Sequence, residues 1–138
     1  MLRQPNSTSL STSTAPSILF LQIKVSKREE TYEAKIVNKT EVAGILDRDS
    51  RGIQLFENQW LISLFDNKQK LLEQTTLANP LEEHFEVADD KGQFKNVEVK
   101  KQEAEFFFRI QNNPRFAMIQ IEQILPSEKK KKLFSLTF

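Results

Sequence analysis

The residues of this chain that could do acid–base chemistry or hold a metal ion surround its single histidine. His84 directly follows Glu82 and Glu83. An imidazole and carboxylates can ligate a metal, and a histidine can act as a general base. A tetrahedral zinc site would also need carboxylates from remote parts of the chain, and a catalytic base would need a nucleophile or substrate beside it. The sequence shows neither partner. A carboxylate-based enzyme or metal-binding domain is therefore kept only as an alternative to a non-catalytic binding module.

Other patterns that could carry chemistry are incomplete. Residues 47–52 have the alternating acids and the glycine of a calcium loop, but Arg51 stands at a ligand position and Asn58 stands where the bidentate Glu belongs. Asp89 and Asp90 are sequence neighbours, not carboxyls spaced to face each other across a sugar. With only 3 glycines, the chain has no nucleophile elbow and no phosphate-cradling loop. We expect no catalytic residue, no metal and no cofactor, and therefore no enzyme.

Charge and composition restrict the partners. The chain has 20 Lys and Arg against 19 Asp and Glu, a formal charge of +1, so no global field attracts nucleic acid or an anionic membrane. Cysteine is absent, which excludes disulfides and thiolate sites but does not indicate a compartment. The first apolar run, residues 18–25, is too short to cross a bilayer and contains Gln22 and Lys24. We expect a soluble domain with no nucleic-acid partner and no transmembrane segment.

The elements that would position any site are short strands. Apolar and polar residues alternate with a period of two, which buries one face of a sheet. The pattern predicts strands at residues 18–25, 32–37, 42–46, 60–65, from 71 onward, 85–87, 94–99, 104–110 and 116–124. Turn residues such as Asp66 and Asn67 separate them, and no helical pattern intervenes. We predict an all-β fold: an antiparallel two-sheet sandwich, immunoglobulin-like in architecture, with about seven to nine short strands.

The ends of the chain differ in composition from its centre. Residues 1–17 are rich in Ser and Thr and too polar to bury themselves, so we predict a disordered arm or linker. Residues 18–125 are the predicted sandwich. Residues 126–138 combine a run of lysines with alternating Leu and Phe, which predicts a basic, mobile tail with an apolar end. Docking of this tail onto the domain is the alternative.

Several large side chains fall on strand faces that should contact water. A two-layer sheet normally keeps its outer face polar, so such residues imply a covering element, a partner or a ligand groove. Arg109 is a candidate rim residue of such a surface, and Trp60 is either a core residue or a ring that stacks on a sugar. The candidate binding residues are Phe20, Trp60, Phe107, Arg109, Phe116 and Met118.

These residues favour binding over catalysis. The sequence indicates a non-catalytic interaction or accessory module that binds protein or glycan through an exposed apolar and aromatic strip. The alternative is a structural subunit of a homo-oligomer, in which this strip and the tail would make the contact. A loop folded over the strip, or a face assignment shifted by one residue, would remove it.

Overall fold

A computed structural model describes residues 15–47 and 53–138. In these ranges the chain forms nine strands and one short 3-10 turn, Pro126–Glu128. The strands are β1 (Ser17–Arg28), β2 (Thr31–Ala43), β3 (Trp60–Phe65), β4 (Leu71–Leu77), β5 (Glu82–Ala88), β6 (Phe94–Lys100), β7 (Glu103–Gln111), β8 (Met118–Ile124) and β9 (Lys130–Thr137). No helical segment in the described ranges has the length and apolar character needed to span a membrane.

The strands form two antiparallel sheets and a separate hairpin. One sheet has the order β2-β1-β7 and the other β4-β3-β8-β9, while β5 and β6 pair with each other. Contacts between β2 and β9 on one side, and between β4 and β7 on the other, join the two sheets. The predicted all-β antiparallel sandwich is confirmed. The strand order differs from that of the immunoglobulin fold, because β1 lies in the centre of its sheet and the immunoglobulin order puts the first strand at an edge.

The core lies between the two sheets and is built from alternate residues of each strand. In the first sheet the inward residues of β1 are buried, as are Phe106 and Ile110 of β7, while Ala104 and Phe108 are half-buried. Each fully buried aliphatic or aromatic side chain stabilises the fold by about 1.5–3 kcal/mol. Residues of β3, β8 and β9 face them from the second sheet. The main contributors are Leu19, Leu21, Ile23, Val25, Phe106, Ile110, Trp60, Ile62, Leu64, Ile119, Ile121 and Phe134.

Trp60 lies at the centre of an aromatic cluster that joins the sheets. Its ring centroid is 5.8 Å from that of Phe106 and 5.9 Å from that of Phe134, both in edge-to-face geometry. Tyr32 adds a third edge contact at 6.3 Å. Aromatic pairs of this kind add about 0.5–1.5 kcal/mol each beyond the burial of their surface. The ring therefore works as a structural anchor between β2, β3, β7 and β9.

The segment that we separated as a basic tail is part of the sandwich. Lys130–Thr137 form β9, which pairs with β8 and places Phe134 opposite Ile121 in the core. The register shifts after Ile121, so Leu133 is an extra residue in β9. The tail thus docks as a strand, and the sandwich extends beyond residue 125. Residues 1–14 of the predicted arm, and residues 48–52 of the calcium-like loop, lie outside the described residues.

β2 is one continuous strand where the alternation pattern predicted two separate strands, at residues 32–37 and 42–46. It pairs with β1 along its whole length, from Thr31 to Ala43, with a bulge at Val37. A bulge inserts one extra residue and re-aims the side chains that follow it. Beyond Val37, Asn38 and Thr40 therefore lie on the outer face, opposite Gln22 and Phe20 of β1.

Candidate ligand-binding groove

The outer face of the β2-β1-β7 sheet carries a groove of about 350 Å³. β1 lies in the middle, so each of its outward residues has a cross-strand neighbour on both sides. Two adjacent rows of such neighbours line the groove: Thr40, Phe20 and Arg109 form one row, and Asn38, Gln22 and Phe107 form the next. The groove thus depends on the bulge at Val37, since without it β2 would present the opposite set of side chains here.

Two phenyl rings give the groove its apolar character. Phe20 is 39% exposed and Phe107 is 70% exposed, and they lie in adjacent rows on neighbouring strands. The exposed part of each ring forgoes its share of the roughly 1.5–3 kcal/mol that complete burial of the side chain would contribute. A ligand that covers both rings would recover part of this free energy.

Amide and hydroxyl groups stand beside the rings and are partly held in place. The Gln22 side-chain amide donates a hydrogen bond to the Glu105 carboxylate in the next row. The Thr40 hydroxyl donates to Asn38 Oδ1 at 3.5 Å, a long contact. Asn38 Nδ2 makes no hydrogen bond within the described part of the chain, and it is exposed. The groove therefore offers neutral polar groups that are partly held in place. At least one of them, the Asn38 amide, has an N–H that can donate to a ligand.

Arg109 supplies the positive charge of the groove. Its side chain is exposed next to Phe20, and it forms no ion pair or hydrogen bond with residues 15–47 or 53–138. The nearest carboxylate on this face of β7, Glu105, lies two rows away and accepts the Gln22 hydrogen bond. An unpaired guanidinium presents several donors in a planar fork, which suits hydroxyl or carboxylate oxygens of a ligand.

The candidate binding residues do not share one surface. Phe20, Phe107 and Arg109 come together in the groove. Trp60 is only 1% exposed, so the core interpretation applies and the ring has no surface to stack on a sugar. Phe116 packs against the core and stacks on Phe138 with centroids 5.9 Å apart, at the end of the sandwich. Met118 belongs to the other sheet, on the face of β8 opposite its core residues.

Sequence reasoning missed the polar half of the groove. By alternation Gln22 falls on the outer face of β1, but Asn38 and Thr40 fall between the predicted strands at residues 32–37 and 42–46 and so receive no face. A β-bulge has no reliable sequence signature, and only the register of β1 with β2 reveals it.

The metal and acid–base candidates lie elsewhere, on the β5–β6 hairpin. His84 is paired across the hairpin with Glu98, and a side-chain oxygen of Glu82 lies 3.9 Å from His84 Nε2. Glu83, the other acid that the sequence placed beside the histidine, instead forms an ion pair with Lys101. Within residues 15–47 and 53–138, no nucleophilic side chain contacts His84.

Comparisons with known protein families, with curated proteins and with solved structures found no match to this chain.

Proposed function

We propose that this protein is a non-catalytic β-sandwich module that binds a glycan in the groove of the β2-β1-β7 sheet. The observation that supports it is the pairing of two exposed rings with amide, hydroxyl and guanidinium groups in two adjacent cross-strand rows. A sugar ring has apolar C–H faces that pack on a phenyl ring and hydroxyls at its edge that take hydrogen bonds.

The size of the groove favours a small ligand over a protein surface. Small-molecule sites occupy about 300–1,000 Å³, and this groove of about 350 Å³ falls at the low end. A stable protein interface buries about 800 Å² on each partner and centres on larger anchors. Phe20 and Phe107 alone do not provide such an area, so a short stretch of oligosaccharide fits the groove better.

A glycan array with the intact protein tests this proposal. We expect specific glycans to bind the parent chain, and Phe107→Ala and Phe20→Ala to weaken binding at least tenfold, which corresponds to about 1.4 kcal/mol. Phe94→Ala is the matched control, because Phe94 is 73% exposed on β6 and lies outside the groove. Fluorescence of the single buried tryptophan, Trp60, shows whether each variant keeps its core.

Two outcomes would overturn the glycan proposal. One is a parent chain that binds no glycan, and the other is equal binding by the parent and the Phe107→Ala variant. Light scattering after size exclusion separates the homo-oligomer alternative. A dimer that becomes a monomer on Phe107→Ala would show that the rings contact a second copy instead of a sugar.

A further inference from the structure

The β5–β6 hairpin brings Glu98 next to Glu82 and His84, which are close to each other but distant from Glu98 in the sequence. We propose that Glu82, His84 and Glu98 form a binding site for a divalent transition-metal ion of the Zn²⁺ type. Glu82 and His84 are two residues apart on β5 and so share one face of the hairpin, and Glu98 stands directly opposite His84 on β6. This site is separate from the groove, and it does not depend on the glycan proposal.

The distances are compatible with a metal ion. One donor atom from each of the three side chains lies within 4.8 Å of the others. Around a tetrahedral zinc ion with bonds of about 2.0–2.2 Å, ligand atoms lie roughly 3.4 Å apart. The remaining approach of at most about 1.4 Å is within the reach of rotamer changes, because His84 and Glu98 are exposed and can adjust.

The donor set selects the class of ion. An imidazole with two carboxylates suits Zn²⁺ and its transition-metal neighbours. Ca²⁺ takes six to eight oxygen ligands and Mg²⁺ near-ideal octahedral oxygen geometry, which this trio does not supply. Three protein ligands leave a fourth position for water or for a ligand from outside the protein.

The charge on this face also favours a cation. Glu86 follows His84 on the same face of β5, so it adds a third carboxylate next to the trio. Lys100 stands opposite Glu82 and is the positive group on this face of the hairpin. Negative groups therefore outnumber positive ones around the imidazole.

One ligand is held in place by residues outside the hairpin, which is independent support for a built site. Asn58 Nδ2 donates a hydrogen bond to Glu82 Oε1. Asn58 Oδ1 in turn accepts hydrogen bonds from Gln123 Nε2 at 2.7 Å and from Asn79 Nδ2 at 3.3 Å. The Glu82 side chain is only 17% exposed. Outer partners of this kind orient the ligands of metal sites, so Glu82 is a positioned ligand that the exposed His84 and Glu98 can join.

Calorimetric titration of the full chain with Zn²⁺, carried out without a histidine tag, tests this inference. We expect one ion per chain with micromolar or tighter affinity, and at least a tenfold loss on His84→Ala or Glu98→Gln. Glu86→Gln is the matched control, because it removes a carboxylate from the same face but not from the trio. The Zn²⁺ affinity of this variant should stay within a few-fold of that of the parent chain. Co²⁺ should give the visible absorption of a low-coordinate ion in the parent chain and not in His84→Ala.

Hydrogen exchange supplies a second readout. Because the ligands come from both strands, Zn²⁺ should slow amide exchange in β5 and β6 of the parent chain and not in His84→Ala. No Zn²⁺ binding by the parent chain, or unchanged binding by His84→Ala and Glu98→Gln, would overturn the inference. Ca²⁺ binding of equal strength would also overturn the inference, since it would indicate that the carboxylates bind cations without using the imidazole.

Discussion

The hairpins β3–β4 and β5–β6 turn in the same way but lie in different surroundings. Each has a five-residue turn, 66–70 or 89–93, in which the first aspartate caps the loop. Asp66 Oδ1 accepts hydrogen bonds from the amides of Lys68 at 2.8 Å and Lys70 at 2.9 Å. Asp89 Oδ1 accepts from the corresponding amides, those of Lys91 and Gln93, both at 2.9 Å. The turn is therefore a local structure that the aspartate determines in both places.

The strands that precede these turns lie in opposite environments. Residues 60–64 of β3 are buried on both faces, and β8 pairs with the far edge of β3. Residues 84–88 of β5 are all exposed, and a two-stranded hairpin is only marginally stable by itself. Turn chemistry therefore builds a hairpin in both places. Packing decides whether the side chains of that hairpin stabilise the core or stay exposed and available for ligands.

The largest expected difference between the hairpins lies in their apolar side chains. Ile62→Ala, in β3, should lower the free energy of unfolding by about 2–5 kcal/mol, because it leaves a cavity in the closed core. Phe85→Ala, in β5, should cost less than about 1 kcal/mol, because Phe85 is already exposed. Urea unfolding followed by Trp60 fluorescence measures both. Equal losses would show that the β5–β6 hairpin is packed into the same cooperative unit.

The two turn aspartates should differ in how far their effects reach. Asp66→Ala removes the acceptor of two backbone amides in a hairpin that belongs to the core, so the urea midpoint of the whole domain should fall. Asp89→Ala should leave that midpoint nearly unchanged and speed amide exchange in β5 and β6 only. A global loss of stability in Asp89→Ala would remove the distinction between the hairpins.

Acid should weaken the β3–β4 turn. The pKa of Asp66 is lowered, chiefly because the Lys70 amide hydrogen-bonds to its carboxylate, with further contributions from the Lys68 amide and the charges of Arg115 and Lys70. A carboxyl with a lowered pKa in the folded state stabilises the fold above its unfolded pKa, and this contribution is lost as pH falls through the folded value. Titration of the Asp66 carboxyl by NMR should give a midpoint below that of an unfolded aspartate. An unshifted midpoint would contradict the hydrogen-bonded turn.

The smallest expected effects come from the fourth residue of each turn. Gln69 has a φ of 66° and Gly92 a φ of 78°, so both occupy the left-handed region. Gly92→Ala should destabilise the β5–β6 turn by about 1 kcal/mol through backbone strain alone, since an added Cβ meets no atom within 4 Å. Gln69→Gly relieves backbone strain in the folded state but raises the conformational entropy of the unfolded chain. Its net effect on the free energy of unfolding should therefore stay within about 0.5 kcal/mol. Hydrogen exchange for the first and urea unfolding for the second measure these shifts.

The alternation of apolar and polar residues predicted much of the fold, whereas the rest depends on which strands pair with each other. Alternation places Leu19, Leu21, Ile23 and Val25 in the core, since this face of β1 is continuously apolar from 19 to 25 whereas the other face is mixed. Alternation could not show that β2 continues through Val37, because a bulge appears only in the register with β1. In the same way, the sequence places Glu82 and Glu83 beside His84 but does not show Glu98, which lies opposite His84 through the pairing of β5 with β6.

The central position of β1 has a consequence for how the chain folds. β1 pairs on one side with β2, which follows it closely, and on the other with β7, where Ile18 meets Gln111. As the chain leaves the ribosome, one edge of β1 stays open until β7 has been synthesised, and an open edge can pair with a wrong strand. Topologies with such distant pairings fold in milliseconds to seconds, much more slowly than helical bundles. Dilute conditions should therefore improve the refolding yield, because they give β7 time to reach β1 before another chain does.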